Sequence, residues 1–299
     1  MSVLIVGSTA LDSIKTATKE NPKLLGGSAS HAAVAASFFA PVNMVGAVGH
    51  DFPKKYIQLY RKHGINLDGL QSLDGTTFHW SGEYAADMNH RRTLSTELGV
   101  FEGFTPHLPD SYRDSEFVLL ANIAPSIQMH VLEQVKNPKF VVADTMDLWL
   151  NIALPDLLRL LKRVDAFVLN DSEARQLTDE RNMVVALKKI HRLGPKYVII
   201  KKGEHGSILS GPDGLFLAPA VPIQKVVDPT GAGDSFVGGL LGYLATQNGQ
   251  IEKNLRKAVV VGSVVASFCC EGFGLSRTTK TTRVMIDDRC KLVERLTKF

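Results

Sequence analysis

The chain has 299 residues, 44% hydrophobic and 21% charged, which excludes a disordered polypeptide and allows one large α/β domain or two smaller ones, either with a full core. The formal net charge of +4 is spread thinly, its densest spots being the pairs Arg91-Arg92 and Lys188-Lys189, so no basic stripe for nucleic acid is expected. The three cysteines are Cys269, Cys270 and Cys290; an adjacent pair without a Cys-x-x-Cys spacing argues against a metal cluster and for a reducing, cytoplasmic setting.

Residues 1–7 lack the basic region and long apolar core of a signal peptide, and 3–6 read as a first strand. Asp12 lies just past it, where an acid either caps a turn or presents its carboxylate to substrate hydroxyls. Segment 14–25 has no helical period and reads as part of a small separate sheet. It leads into Gly26-Gly27-Ser28-Ala29-Ser30-His31. That stretch is either a hinge where substrate approaches the backbone closely or a plain helix start capped by Ser28 or Ser30. The uncharged run 32–48 is interrupted by Pro41-Val42-Asn43. It splits into a buried helix, 30–39, and a buried strand, 43–48, rather than spanning a membrane.

A helix is predicted over 53–63. Segment 74–99 alternates and carries Phe78, Trp80 and Tyr84, so it joins the small sheet. Its rings either stack on a bound base, or fill that sheet's own core or a dimer contact. Further strands are predicted at 117–121, 140–143, 166–169 and 197–200, each a near-continuous apolar run of the kind buried on both faces. Helices are predicted at 126–135, 154–162, 172–177 and 183–193. This alternation predicts an α/β fold, a doubly wound and mostly parallel sheet flanked by helices.

Two strand ends carry polar constellations, and strand ends are where ligands sit in such sheets. Asn170-Asp171-Ser172-Glu173 is either a capping box or a pair positioning water on Mg²⁺. Lys201-Lys202-Gly203-Glu204-His205-Gly206 is either a simple hairpin or a contact for nucleotide phosphates. A β region at 206–224 turns at Gly211-Pro212-Asp213-Gly214. The last third is helical from Phe236 onward, with a small-residue helix around 255–270.

The most informative segment is Asp228-Pro229-Thr230-Gly231-Ala232-Gly233-Asp234 at the mouth of that helical region. Small residues and a helix N-terminus favour an anion. An aspartate inside such a site is out of place where a phosphate is only held, and in place where one is transferred. Asp234 would take the proton of the attacking hydroxyl while backbone N–H groups hold the charge. The alternative is an ordinary first-turn acid. No Walker A loop, His-Glu-x-x-His, EF-hand loop or Gly-x-Ser-x-Gly elbow occurs.

Taken in order, these residues resemble the PfkB family of carbohydrate kinases, with its ribokinase-like fold. Asp228 to Asp234 is similar to the family's C-terminal signature, and Gly26-Gly27 with its Ala-rich helix to the N-terminal one. Val45-Gly46-Ala47-Val48-Gly49-His50-Asp51 is similar to Val-Gly-x-Val-Gly-x-Asp. Asn170 and Glu173 match Asn-x-x-Glu, and the loop Gly203 to Gly206 resembles the nucleotide loop.

The resemblance implies one domain over 1–299, with lid segments at about 14–25 and 74–99. It implies Asp234 as base, with Gly231, Ala232 and Gly233 as the anion hole. Asp12, Gly26, Gly27 and His31 would meet the acceptor, with Asn122 a further candidate at the end of 117–121. Asn170, Glu173, Lys202, Gly203 and Gly206 would serve ATP. Glu173 would support Mg²⁺ through water, Asp228 and Thr230 a monovalent cation such as K⁺, and the lid a homodimer. His31 stands where the family has Asn, and Lys202 where it has Thr.

The reading is an ATP-dependent kinase acting on a primary hydroxyl of a small sugar; the alternative is a nucleoside kinase. A remote alternative is an NAD(P)-dependent oxidoreductase using the Gly231-Ala232-Gly233 turn, against which Phe236 occupies the place of a third glycine. A sugar-binding relative without catalysis is disfavoured by the presence of Asp234.

Overall fold

The chain's short apolar runs form the strands of one large sheet in the computed structural model, which describes residues 1–17, 19–88 and 91–298. Strand β1 (Val3–Val6) is wholly buried. The chain leaves the main sheet for β2 (Ala10–Lys15) and β3 (Glu20–Gly26), then enters α1 (Ser28–Ser37). It returns through β4 (Val42–Val48), α2 (Lys54–Lys62) and β5 (Ile65–Ser72), and leaves again for β6 (Phe78–Tyr84) and β7 (Arg91–Glu97). Next come β8 (Phe117–Leu120), α3 (Pro125–Leu132), β9 (Phe140–Asp144), α4 (Asp147–Ile152) and α5 (Leu154–Leu161). Strand β10 (Ala166–Asn170) feeds α6 (Asp171–Thr178) and α7 (Met183–His191), and β11 (Tyr197–Lys201) feeds the hairpin β12 (Ser207–Gly211) and β13 (Gly214–Ala218). Helices α8 (Ala232–Ala245), α9 (Ile251–Cys270) and α10 (Arg283–Thr297) close the chain.

The main sheet has nine strands in the order β13-β12-β11-β10-β9-β8-β1-β4-β5. Pairing is parallel from β11 to β5 and antiparallel in the β11-β12-β13 edge. Its double winding is visible in β1 itself. Val3 and Ile5 belong to the core packed by α1, α8 and α9, while Leu4 and Val6 belong to the core packed by α3, α5 and α7. Alternate side chains point to opposite faces, so a strand covered by helices on both sides must be apolar throughout.

The second sheet, β3-β2-β6-β7, is the lid. Its one parallel pair, β2 with β6, sets Asp12 beside Trp80. Asp12 therefore lies within a lid strand, not in a turn after β1, because that strand begins at Ala10. The predicted lid segments fall on these four strands; Thr18 in the first and Asn89 and His90 in the second lie outside the described residues, as does Phe299.

Other boundaries moved for physical reasons. Helix α8 begins at Ala232, four residues before Phe236, so Asp234 is inside its first turn. Strand β5 was not predicted, since Asp68 and Gly69 interrupt its apolar pattern; it survives as an edge strand paired only to β4. Helix α4, six residues long, is too short for its period to register. The run 32–48 does divide into α1 and β4, and among the described residues no helix is long and apolar enough to cross a membrane.

The small residues of α8 explain its seating. A β-carbon at Gly238 would fall 2.2 Å from the Ala32 carbonyl, and one at Gly242 would fall 2.8 Å from the Ala36 Cα. Helices α1 and α8 thus touch backbone to backbone, and their first turns, at Gly27 and Gly231, come together near the carboxyl end of β1.

Candidate active site

Gly231 is the N-cap of α8 and sits at φ 77°, a left-handed conformation that disfavours any side chain. Beyond it the first-turn N–H groups have no helical acceptor. That of Ala232 donates to the Pro229 carbonyl at 3.1 Å. Those of Gly231 and Gly233 have no partner among the described residues and so offer two donors to an anion. The loop before them is held by Asp228, fully buried, whose carboxylate accepts from Thr230 N at 2.9 Å and Gly274 N at 3.0 Å.

Asp234 is partly accessible, on the third position of α8. Burial pushes its carboxyl up to about 6, helped by the nearby Asp144 and opposed by Lys201 and Arg91. A carboxyl in that range can hold a proton taken from a hydroxyl and still be ionised near neutrality. Asp12, 5% exposed, lies across from it. Its carboxylate fills the space beside Gly26, where a β-carbon would fall 1.8 Å from Oδ2. Burial raises this group to about 7; the Gly27 N–H opposes the shift, and the Asp228 and Asp234 charges add to it.

At the ends of β9, β10 and β11 lies a second group of charges. Lys201 Nζ bonds both oxygens of the buried Asp144, at 3.0 and 3.2 Å. Glu173 is 6% exposed and raised by burial to about 7, with Lys201 opposing and Asp144 contributing. It also completes a capping box. Asn170 Oδ1 accepts from Glu173 N at 2.8 Å, and Glu173 Oε2 accepts from Asn170 N at 2.7 Å.

The lid reaches this site. Thr230 Oγ1 donates to the Tyr84 hydroxyl at 3.1 Å, and Arg91 lies over Trp80 at 5.4 Å while its charge acts on Asp234. An acid in a helix first turn beside free backbone N–H groups, a second acid on a lid strand, and charged groups at strand ends are the parts that phosphoryl transfer requires. The profile of the pfkB family carbohydrate kinases matches residues 2–282. The chain belongs to that family.

This kinase is similar to the cytidine kinase of Thermococcus kodakarensis, 32% identical over 253 residues, which cover 81% of this chain and 88% of the relative. Its fold is that of the Burkholderia thailandensis nucleoside kinase solved in complex with inosine (TM-score 0.82, 22% identity, 97% of this chain and 98% of the other). It is also that of the ribokinase of Thermotoga maritima (TM-score 0.79, 21% identity, 97% and 99%). The chain is thus a kinase of the sugar and nucleoside class, and the oxidoreductase reading is set aside.

The structure gathers Asp12, Gly26, Gly27, Asp228, Thr230, Gly231, Ala232, Gly233 and Asp234 at one place, with Asn170 and Glu173 along the adjoining strand ends. The Ala232 N–H, expected in the anion hole, is instead engaged by the Pro229 carbonyl, and three further expected contacts are placed differently. His31, 1% exposed, lies beneath Gly231, with Nδ1 3.7 Å from Cys269 Sγ and Nε2 unpaired among the described residues. Burial holds its ring neutral, down to about 4. The Asn122 side chain is engaged by α4, accepting from Trp149 Nε1 at 2.8 Å and donating to Met146 Sδ at 3.1 Å. Lys202 shapes the tight loop through its backbone, donating to the Gly206 carbonyl at 2.7 Å. In that loop Gly203 and Gly206 take φ 55° and 76°.

Lys201, not Lys202, turns into the strand-end cluster, and sequence reasoning did not single out Asp144 at all. A usable signal was present. Each is the first charged residue after a buried apolar run, and so stands at the carboxyl end of a parallel strand.

Proposed function

We propose that this kinase transfers the γ-phosphoryl group of ATP to a primary hydroxyl of a small sugar, with Asp234 as general base. One observation carries the reading: Asp234 sits in the first turn of α8, beside the N–H donors of Gly231 and Gly233, with its carboxyl raised to about 6. The acceptor oxygen attacks phosphorus, the bond to the β,γ-bridging oxygen breaks, ADP leaves, and the hydroxyl proton passes to Asp234. Charge on the moving group is held by the Gly231 and Gly233 N–H groups. Asp12, on the lid strand β2, would orient the acceptor.

Glu173 would meet Mg²⁺ through water. Its buried carboxylate, beside the acid Asp144, suits an ion held mainly by phosphates and one or two protein carboxylates. Bound there, Mg²⁺ would neutralise phosphate charge. Asp228, a buried carboxylate on two backbone N–H groups, and Thr230 would serve a monovalent cation. Strand β7 is an edge strand with Leu94 48% exposed, which supports a homodimer through the lid.

A nucleoside acceptor is the second reading, favoured by the likeness to a cytidine kinase. Against base stacking on the lid, Trp80 and Tyr84 are buried with Ile14, and Phe78 packs edge-on to Phe101. ADP release measured across pentoses, hexoses, phosphosugars and nucleosides decides between acceptors. Asp234→Asn should retain the fold and ATP binding and lose nearly all transfer; near-normal turnover in that variant would sink the assignment.

A further inference from the structure

Lys201 is an expensive residue to place. Its side chain is 18% exposed and pairs with an Asp144 side chain that is 4% exposed. A buried ion pair of this kind is weak as a stabilising device, because desolvation consumes most of the attraction. Its location suggests another use. Nζ lies 3.0 Å from where a β-carbon of Gly233 would stand, so the ammonium borders the same small space as the Gly233 N–H. The carboxylates of Asp144, Glu173 and Asp234 surround it. Burial alone would discharge this lysine, yet those three acids raise its proton affinity and keep it charged. The strand order explains the meeting: β9 and β11 flank β10, and Asp144 and Lys201 reach each other across its carboxyl end.

We propose that Lys201 is a catalytic residue that donates an N–H to a non-bridging oxygen of the γ-phosphoryl group during transfer, and that Asp144 is the residue that positions it. The inference rests on the phosphoryl-transfer reading above. Lys201 keeps its proton throughout; the proton that moves is the acceptor's, to Asp234. The ammonium adds a full charge where Gly231 and Gly233 supply partial ones, and that charge counts most as negative charge redistributes on the transferred group. Asp144 fixes the amine on the Gly233 side and prevents it from pairing with Asp234, which must stay available as base.

The test separates this role from simple neutralisation of Asp144. Lys201→Met leaves Asp144 buried without its partner and should lower both melting temperature and turnover. The double variant Lys201→Met/Asp144→Leu removes both charges and should regain most of the melting temperature. Its kcat should remain about 10²–10³-fold below wild type, the scale of a lost charge-stabilising donor, with the KM for acceptor changed by less than about threefold. Recovery of kcat with stability would overturn the proposal and leave Lys201 a structural counter-ion. Wild-type protein releasing no ADP with any acceptor would instead overturn the kinase reading and this role with it. Asp144→Asn in the same assay should lower kcat while sparing acceptor KM; an effect confined to KM counts against the positioning role.

Discussion

A β-carbon at Gly231 would fall 2.3 Å from the ring of His31. The N-cap of α8 therefore rests on a side chain from the first turn of α1, and the glycine turn is supported from below by an imidazole that burial keeps neutral. Gly231→Ala meets both the ring and a left-handed φ. It should cost about 1–3 kcal/mol of stability and more than tenfold in kcat. His31→Asn, which restores the residue usual in the family, should lower kcat with little change in acceptor KM, because the ring supports the turn. A rise in acceptor KM at constant kcat would place His31 on the acceptor instead.

The raised carboxyl of Asp234 has a signed consequence for stability. Its folded pKa, about 6, lies above the ordinary value of 3.8. The folded state therefore binds the proton more tightly, and stability is lost as pH rises through the folded value. Asp234→Asn should match wild type in stability near pH 4 and exceed it above pH 6, by on the order of 1–3 kcal/mol. Urea melts at pH 3.5 and 7.5 measure this. Activity runs the other way. With ionised Asp234 as the proposed base, kcat/KM should fall on the acid side through an apparent pKa near 6–7 that belongs jointly to Asp234 and Asp12.

Much of this was legible in the sequence because the relevant signals are local. A buried parallel strand must be apolar along its length, so β1, β8, β9, β10 and β11 announced themselves within a residue or so. The signature turn was legible because small residues before an acid at a helix mouth conflict with mere phosphate storage. Contacts between distant segments were not legible. That Lys201 ends β11 follows from the apolar run before it, but that its amine meets Asp144 depends on β9 lying two strands away in the sheet. The burial of His31 depends on α8 lying against α1, 200 residues later in the chain. Asn170 and Glu173 drew two competing readings, a cap and a ligand pair. The capping box is formed, and the carboxylate also faces Lys201, so one residue can serve both purposes.

That double duty can be dissected. Glu173→Gln preserves a side chain able to reach the Asn170 N–H, since Gln also completes a capping box. It should alter thermal stability by less than about 1 kcal/mol. Removing the charge should raise the Mg²⁺ concentration needed for half-maximal activity several-fold. Glu173→Ala should lose the cap as well. Equal Mg²⁺ dependence in wild type and Glu173→Gln would reduce Glu173 to a capping residue.

The hydrogen bond from Thr230 to the Tyr84 hydroxyl ties the lid directly to the signature loop. Tyr84 is 7% exposed and packs with Ile14 and Trp80, so its ring has a packing role apart from its hydroxyl. Tyr84→Phe keeps the ring and removes only the tie, worth about 0.5–1.5 kcal/mol. Because that bond joins the lid to the loop before Asp234, its loss should raise acceptor KM by a factor of about 2–10 and leave the chemical step in single-turnover experiments nearly unchanged. Thr230→Val removes the other partner and should give the same rise. The double variant should then be no worse than either single one, as expected for two ends of one bond. Additive losses would mean that the two side chains act separately and that the lid is held by its apolar contacts alone.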